Sequence, residues 1–498
     1  MAPSEVKLTE AAEAGSAYEV SWEGLDDACN PRNWSTAKKW RNVILISVQA
    51  TLSPMASVML AVTSIAISRE FHLTGPYAPS LPTALFVLGF GLGPLFLAPL
   101  SELYGRRIIY LACFVAFTIG NILCAVAPNM AALAVFRLAC GMAGSAGPSI
   151  GGGTIRDMFT PETRGRAQSV YSFGPTGGSA LGGVIGGFIL AGTGQWRWVA
   201  WVMAIASGIT CIVSVFCLHE TFPPYLLRKK AAKLRAETGN DAYRSSFDSP
   251  LGHRQLLART LTRAVHMLIT APACTAMSLY MALIYGILYL HLVTLPLLYS
   301  SEPVYGLPSY RWPAALTGLS YLGVGVGSFV GVLVCALALN RTYVLMKARE
   351  AGKNRPTDST GPEYRMPLMQ VGACIVPLGL LIFAFTARTD VHWIVPLIGA
   401  TVFSSGMLIT YICVTTYLVD SFDQYAASAL AGMTLTRSVL GCVFSLIGFR
   451  LYESLGYEWG TLMLALLCVL MMPLPTIFYF LGPRFRRLGG YGLDRESV

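Results

Sequence analysis

Apolar runs separated by short polar stretches recur along the whole chain, and each is about 20 residues long, the length of a helix that spans a bilayer. We count twelve predicted spans, six on each side of a long polar loop. This pattern predicts an all-α polytopic membrane protein built as two six-helix halves. The predicted bounds are 43–67, 81–101, 108–127, 131–154, 165–191, 198–217, 266–289, 314–339, 367–386, 392–418, 426–449 and 459–481.

The polar stretches divide the chain into five predicted regions. These are an N-terminal tail 1–42, a bundle 43–218, a central loop 219–265, a second bundle 266–482 and a C-terminal tail 483–498. In the central loop, Leu226, Leu227 and Leu234 alternate with lysines and arginines. Two interpretations stay open for this loop: an amphipathic helix lying on anionic lipid, or a solvated linker that joins the two halves.

Composition and charge support a membrane protein. The 498 residues are 54% hydrophobic and 12% charged, whereas soluble domains carry about 25% charged residues. The net charge of +10 does not indicate a nucleic-acid partner, because Lys and Arg fall mainly on alternate loops, as the positive-inside rule requires. Both termini are therefore predicted to be cytoplasmic, and the sequons at Asn33 and Asn340 to remain without a glycan. We expect no metal and no cofactor.

The second span ends abruptly in an acid, a glycine and two arginines. Gly105 allows a tight turn between two helices, and Arg106 and Arg107 hold that turn in cytoplasmic water. With Leu100 and Glu102, these residues resemble the loop between spans two and three of the major facilitator superfamily. In that family the motif acid lies against the start of span eleven, and the arginine pairs with the acid that ends span four.

By this resemblance, two contacts are expected on the cytoplasmic side. Glu102 caps the helix that begins near Ala426, and Arg106 bonds Asp157. A carboxylate near a helix N-terminus is favourable, so the first contact would act as a latch that holds the cytoplasmic side closed. Asp420 and Asp423, at the end of span ten, are interpreted as topological anchors.

Glycines and arginines inside the spans give further candidates. Gly178, Gly182 and Gly186 recur at spacings of four, which puts them on one face of span five, and Gly187 follows them. We predict that the first three form a tight helix contact across the two halves. They resemble the family's antiporter motif, with Gly183 in the place of its proline. Arginines at depth are costly, so Arg137 and Arg437 are predicted to face the interior between the halves.

A central cavity is predicted from polar and aromatic residues of spans one, seven and ten. Its candidates are Gln49, Ser53, Tyr285, Tyr289, Tyr411 and Thr415. No Asp or Glu lies near the centre of any predicted span, so the sequence identifies no proton carrier.

The resemblance covers Trp22 to Arg487 and is strongest to fungal twelve-spanner drug:proton antiporters that export toxins and polyamines. It implies a monomer in the plasma or vacuolar membrane that exports a small amphipathic organic molecule by alternating access, with protons as the coupled ion and lipids around it. An uncoupled facilitator or uptake carrier of the same fold is the alternative. A membrane-embedded enzyme is a remote second alternative, since the sequence shows no catalytic pair.

Overall fold

The structure is a computed structural model that describes residues 18–23, 27–73, 75, 77–240, 242–245, 253–304, 306–351, 361–422 and 425–488. Within these residues, eleven helices are long and apolar enough to cross a membrane. The last of them, Ala426–Arg486, runs for 61 residues. At 1.5 Å per residue this is about 90 Å, roughly three times the thickness of a bilayer core. Gly456 breaks it with φ 70° and ψ 175°, so it forms two spans, and the twelve predicted spans are present.

The spans have the following bounds. Spans one to six are Thr36–Val62, Leu81–Tyr104, Arg106–Ala125, Met130–Met158 (two helices that meet at Ser145), Pro161–Thr193 and Arg197–Cys217. Spans seven to ten are Pro272–Leu298, Tyr321–Ala351, Met366–Thr386 and Ile394–Phe422. Span eleven is 426–455, and span twelve is 457–471, followed after a turn at Met472 and Pro473 by the helix Leu474–Leu488. Shorter helices are Ser64–Glu70, Pro223–Thr238, His253–Thr270 and Ala314–Thr317, and 3₁₀ turns are Pro31–Asn33, Gly318–Ser320 and Pro362–Arg365.

Span seven begins later than the sequence predicts. The apolar run that starts at His266 belongs first to the helix His253–Thr270 and then, after an extended Ala271, to a new helix. Pro272 is the first residue of that helix, and the N–H that proline lacks would have no partner within the helix at this position. Because the span extends to Leu298, Tyr289 lies inside it rather than at its end.

The two halves pack in the same way. Span one packs on span five, two on four, and three on four and six; in the second half, seven packs on eleven, eight on ten and nine on ten. Between the halves, span two meets span eleven, and span five meets span eight. We call the side that carries Gly105 and the helix Pro223–Thr238 the basic side, and the side that carries the helix Ser64–Glu70 the opposite side.

The central loop folds against the N-terminal tail. Strand β1 (Tyr18–Val20) pairs in parallel with strand β2 (Tyr243–Ser245), and Lys230 Nζ lies 2.9 Å from a carboxylate oxygen of Glu23. Leu227 and Ala231 of the helix Pro223–Thr238 are buried by protein. A solvated linker is therefore the wrong interpretation for this helix, and protein, not lipid, covers the centre of its apolar face.

Candidate transport site

The turn after span two is held by an acid that the sequence analysis missed. Gly105 has φ 91°, and an added Cβ would lie 2.5 Å from Glu220 Oε2. The Glu220 carboxylate accepts hydrogen bonds from the backbone N–H groups of Arg106 and Arg107, both at 3.0 Å. It also accepts from the N–H groups of residues 221 and 222. Glu220 therefore caps the N-terminus of span three, where a negative charge is favourable.

The Glu220 cap gives a stability prediction. Replacing Glu220 by alanine leaves several backbone donors without a partner, and even one unpaired buried donor costs about 1–3 kcal/mol. We expect a lower midpoint of thermal unfolding for the purified protein in detergent. The matched control is Glu237→Ala, because Glu237 and its partner Lys233 are exposed and such pairs contribute about 0–1 kcal/mol. Equal midpoints for the two variants would contradict the role assigned to Glu220.

The predicted pair between Arg106 and Asp157 is present. Arg106 Nε donates to Asp157 Oδ2 at 2.5 Å, and each side chain is only 7% exposed. The guanidinium also lies 4.9 Å from the ring centre of Phe222, which follows span six. The turn after span two is thereby joined to the ends of spans four and six.

The predicted cap by Glu102 is not found in this conformation. Span eleven begins at Ala426 after Tyr425, and its start receives no hydrogen bond from Glu102 in the described part of the chain. The Glu102 side chain is instead exposed, and its backbone carbonyl accepts from Arg228 of the central loop at 2.9 Å. The resemblance assigned Glu102 to the start of span eleven, whereas the acid that caps a helix at this turn is Glu220, from the end of span six, and the helix is span three.

A corresponding network lies in the second half. Arg365, in the turn before span nine, bonds Asp420 at the end of span ten at 2.6 Å. Glu363 of the same turn pairs with Arg486 of the helix that follows span twelve at 2.9 Å. Asp420 is therefore an ion-pair partner rather than a simple anchor, while Asp423 lies outside the described residues. Each half thus ties one turn to its fourth and sixth helices.

The glycines of span five present two faces. Cβ atoms added at Gly178, Gly182 and Gly186 would lie 2.5, 2.6 and 3.0 Å from backbone oxygens of span one. The prediction of a contact across the halves is therefore wrong for these three, which pack inside the N-terminal half. The glycines one position further along the chain, Gly183 and Gly187, lie on the face of the helix that packs against the other half.

That second face meets span eight. A Cβ at Gly187 would lie 3.0 Å from Gly318 Cα. A Cβ at Gly183 would overlap the ring of Tyr321, and Ala180 packs against Gly325. Gly183 stands where the resembled motif has proline, and it leaves the room that the Tyr321 ring occupies. The contact between the halves is thus made by the glycines next to those predicted.

Arg437 lies among tyrosines at the interface between the halves. Its guanidinium carbon is 4.5 Å from the ring centre of Tyr285 and 5.2 Å from that of Tyr411. The rings of Tyr285 and Tyr289 lie 5.0 Å apart, and Thr415 packs one turn from Tyr411, whose carbonyl it bonds at 2.9 Å. Two of the six cavity candidates, Tyr285 and Tyr411, thus lie beside this arginine, and two more, Tyr289 and Thr415, lie one helical turn from them.

Arg137 is fully buried inside the N-terminal half. It donates to the carbonyls of Ala56 and Pro82 at 3.1 and 3.4 Å and lies 4.2 Å from the ring centre of Phe86. All three of these partners belong to the N-terminal half, so Arg137 is bonded to its own half.

The two cavity candidates of span one do not face the other half. Gln49 is buried and donates to Ser214 of span six at 3.0 Å. Ser53 is buried against span four, where a Cβ on Gly144 would lie 2.7 Å from its hydroxyl oxygen. The prediction that they line a central cavity is wrong, since the sequence cannot show which way span one is rotated.

The halves are closed against each other on the opposite side. Arg69 and Glu302 form an ion pair of 3.0 Å, and Arg450 donates to the hydroxyl of Tyr77 at 3.0 Å. Each pair joins one residue from each half. Towards the basic side, a Cβ on Gly152 of span four would meet no atom within 4 Å. The conformation is therefore closed on the opposite side and has free space beside span four on the basic side.

Twelve spans in two similar halves, with polar residues at the contact between them, define a carrier of the alternating-access type. The family model described as the Major Facilitator Superfamily matches residues 46–446. The chain belongs to this superfamily of transporters, which confirms the fold class and the prediction of a transporter rather than an enzyme.

Curated relatives match nearly the whole chain. The efflux pump RadE of Floropilus chiversii is 38% identical over 94% of this chain and 84% of its own length. The MFS transporter CpaT of Aspergillus oryzae is 36% identical over 96% of this chain and 93% of its own. Among solved structures, the inward-open xylose transporter XylE of E. coli superposes with a TM-score of 0.60 at 14% identity, covering 87% of this chain and 95% of that one. That identity supports the fold alone.

Proposed function

We propose that this chain exports a small amphipathic organic compound by proton antiport and alternating access. The observation that carries the proposal is the interface of the two halves, which is closed on one side and contains a buried arginine among tyrosines. The name of the relative RadE, an efflux pump, supports the outward direction. In this proposal the bundles 43–218 and 266–482 move against each other, and residues 219–265 link them.

The proposal is tested with the purified protein in lipid vesicles. The substrates are three fluorescent dyes, which we call the dye panel: fluorescein, tetramethylrhodamine methyl ester and neutral Nile red. We expect flux of at least one dye, and faster flux when an imposed pH gradient drives protons in the direction opposite to the dye. Equal flux with and without the gradient would favour the uncoupled facilitator. No flux of any dye above protein-free vesicles would contradict export of amphipathic organic compounds.

We also propose that the protein is a monomer in the plasma membrane, with the basic side and both termini in the cytosol. The positive-inside distribution supports this orientation. Cys29 is exposed on the basic side, and Ser301 is exposed on the opposite side.

Thiol labelling tests the orientation. A membrane-impermeant maleimide applied to intact cells should label a Ser301→Cys variant and leave Cys29 unlabelled until the cells are permeabilised. Cys374 does not interfere, because it lies within the apolar span nine. Labelling of Cys29 in intact cells, or a glycan on Asn33 or Asn340, would contradict the proposed orientation and show that the basic side faces out of the cytosol.

A further inference from the structure

The positive charge of Arg437, at the interface, is without a carboxylate partner among the residues that the structure describes. Arg437 lies in the interior of span eleven and is 9% exposed. It forms no ion pair with any described residue, and its Nε is buried without a hydrogen-bond partner. The rings of Tyr285 and Tyr411 face the guanidinium, and ring electrons attract a cation without neutralising it.

The second deep arginine, Arg137, adds another buried positive charge. Arg137 is also without a carboxylate partner in the described part of the chain, and its Nη1 is buried without a hydrogen-bond partner. Arg137 itself is 0% exposed, so among the two only Arg437 is accessible to a substrate.

No acid of the chain lies near the middle of a span to balance these charges. The acids inside the spans are at their ends, in the turn at Gly456, or in ion pairs with arginine, as for Asp157 and Asp420. A buried charge is strongly disfavoured unless it is paired. Arg437, the accessible one of the two arginines, is therefore the group at this interface with which an acidic group of a bound molecule could pair.

We propose that the exported compound is an aromatic organic anion, whose carboxylate or similarly acidic group binds Arg437 while its ring system packs against Tyr285 and Tyr411. This inference rests on the proposed function and specifies its substrate class. The planar guanidinium fork matches an acidic group with two oxygens. A Cβ on Gly441 of span eleven would lie 3.0 Å from Val87 of the other half and 3.4 Å from Tyr285, so an aromatic molecule bound beside Tyr285 would lie at the contact between the halves.

Binding to the purified protein in detergent tests this directly. The probes are fluorescein, an anion, and tetramethylrhodamine methyl ester, a cation built on the same xanthene frame, followed by fluorescence polarisation. We expect fluorescein to bind more tightly than the cation. Arg437→Gln should weaken fluorescein binding roughly tenfold or more, because a charged hydrogen-bonded contact is lost, and leave the cation no weaker. Arg437→Lys should keep part of the affinity, since it keeps the charge but not the fork.

The control variant is Arg311→Gln, which removes an exposed arginine from a loop on the opposite side and should change neither affinity. Unfolding midpoints of all variants check that the fold is kept. The inference is overturned if the cation binds as tightly as fluorescein, if neither dye binds, or if a folded Arg437→Gln binds fluorescein like the unchanged protein. Flux of the dye panel without preference for the anion would overturn it while leaving export intact, whereas absence of all flux would contradict export itself.

Discussion

Replacing Asp157 by asparagine is expected to destabilise the N-terminal half by roughly 3–5 kcal/mol, because the Arg106 guanidinium then stays buried without its counter-ion. The pair has a contact of 2.5 Å, and both side chains are almost inaccessible. The change keeps the shape of the side chain and removes only the charge. The purified variant should unfold at a clearly lower temperature in detergent.

The matched control for Asp157→Asn is Glu302→Gln, which breaks the pair with Arg69 on the opposite side. These side chains are 70% and 68% exposed, and exposed pairs contribute about 0–1 kcal/mol. Asp420→Asn should fall between the two, because Asp420 is 35% exposed. If Asp157→Asn unfolded at the same temperature as Glu302→Gln, the buried pair would not hold the half together.

Gly187→Leu is expected to abolish most transport while leaving each half folded. The new side chain would be placed where span five approaches, across the interface, the 3₁₀ turn Gly318–Ser320 that leads into span eight, 3.0 Å from Gly318 Cα. Overpacking of this kind costs about 1–3 kcal/mol, and here it acts against closure of the opposite side. Such an energy shifts the population of that conformation by roughly 5- to 150-fold. Flux of the dye panel in vesicles measures the loss.

Gly182→Leu separates this effect from ordinary misfolding. Gly182 packs on Met55 of span one within the same half, with a Cβ distance of 2.6 Å to its carbonyl oxygen. Its substitution should lower the unfolding midpoint, whereas Gly187→Leu should lower flux with a smaller change in the midpoint. If Gly187→Leu carried dye at the normal rate, the contact between spans five and eight would have no part in the transport cycle.

The fold was predictable because its main signal is local. Span length and the polar loops fix twelve helices and two halves, and the largest displacements are in spans seven and eight. Span eight ends at Ala351 rather than at 339, and in span seven Ala271 and Pro272 divide one apolar run between two helices. Hydropathy does not show such a break. The pair of Arg106 with Asp157 was predicted from the resemblance to the family motif, and both residues lie at span ends on the same side of the membrane.

The contacts that were predicted wrongly, or not predicted, depend on helix rotation and on residues far apart in the chain. A single step of about 100° around span five separates Gly182, which faces span one, from Gly183, which faces span eight. The sequence places both in the same glycine-rich stretch. Glu220 lies more than a hundred residues from Gly105, so only the folded chain shows that this acid caps span three.

The central claim is that the opposite side must open and close for transport to occur. An Arg69→Cys/Glu302→Cys variant places one thiol in each half where the ion pair of 3.0 Å now lies. A thiol-cleavable bismaleimide can then join the halves on that side, with each single-cysteine variant as its control. We predict that dye flux stops when the double variant is joined and returns when the linker is cleaved, while the single variants are unaffected. Unchanged flux through fully joined protein would contradict alternating access between these two halves.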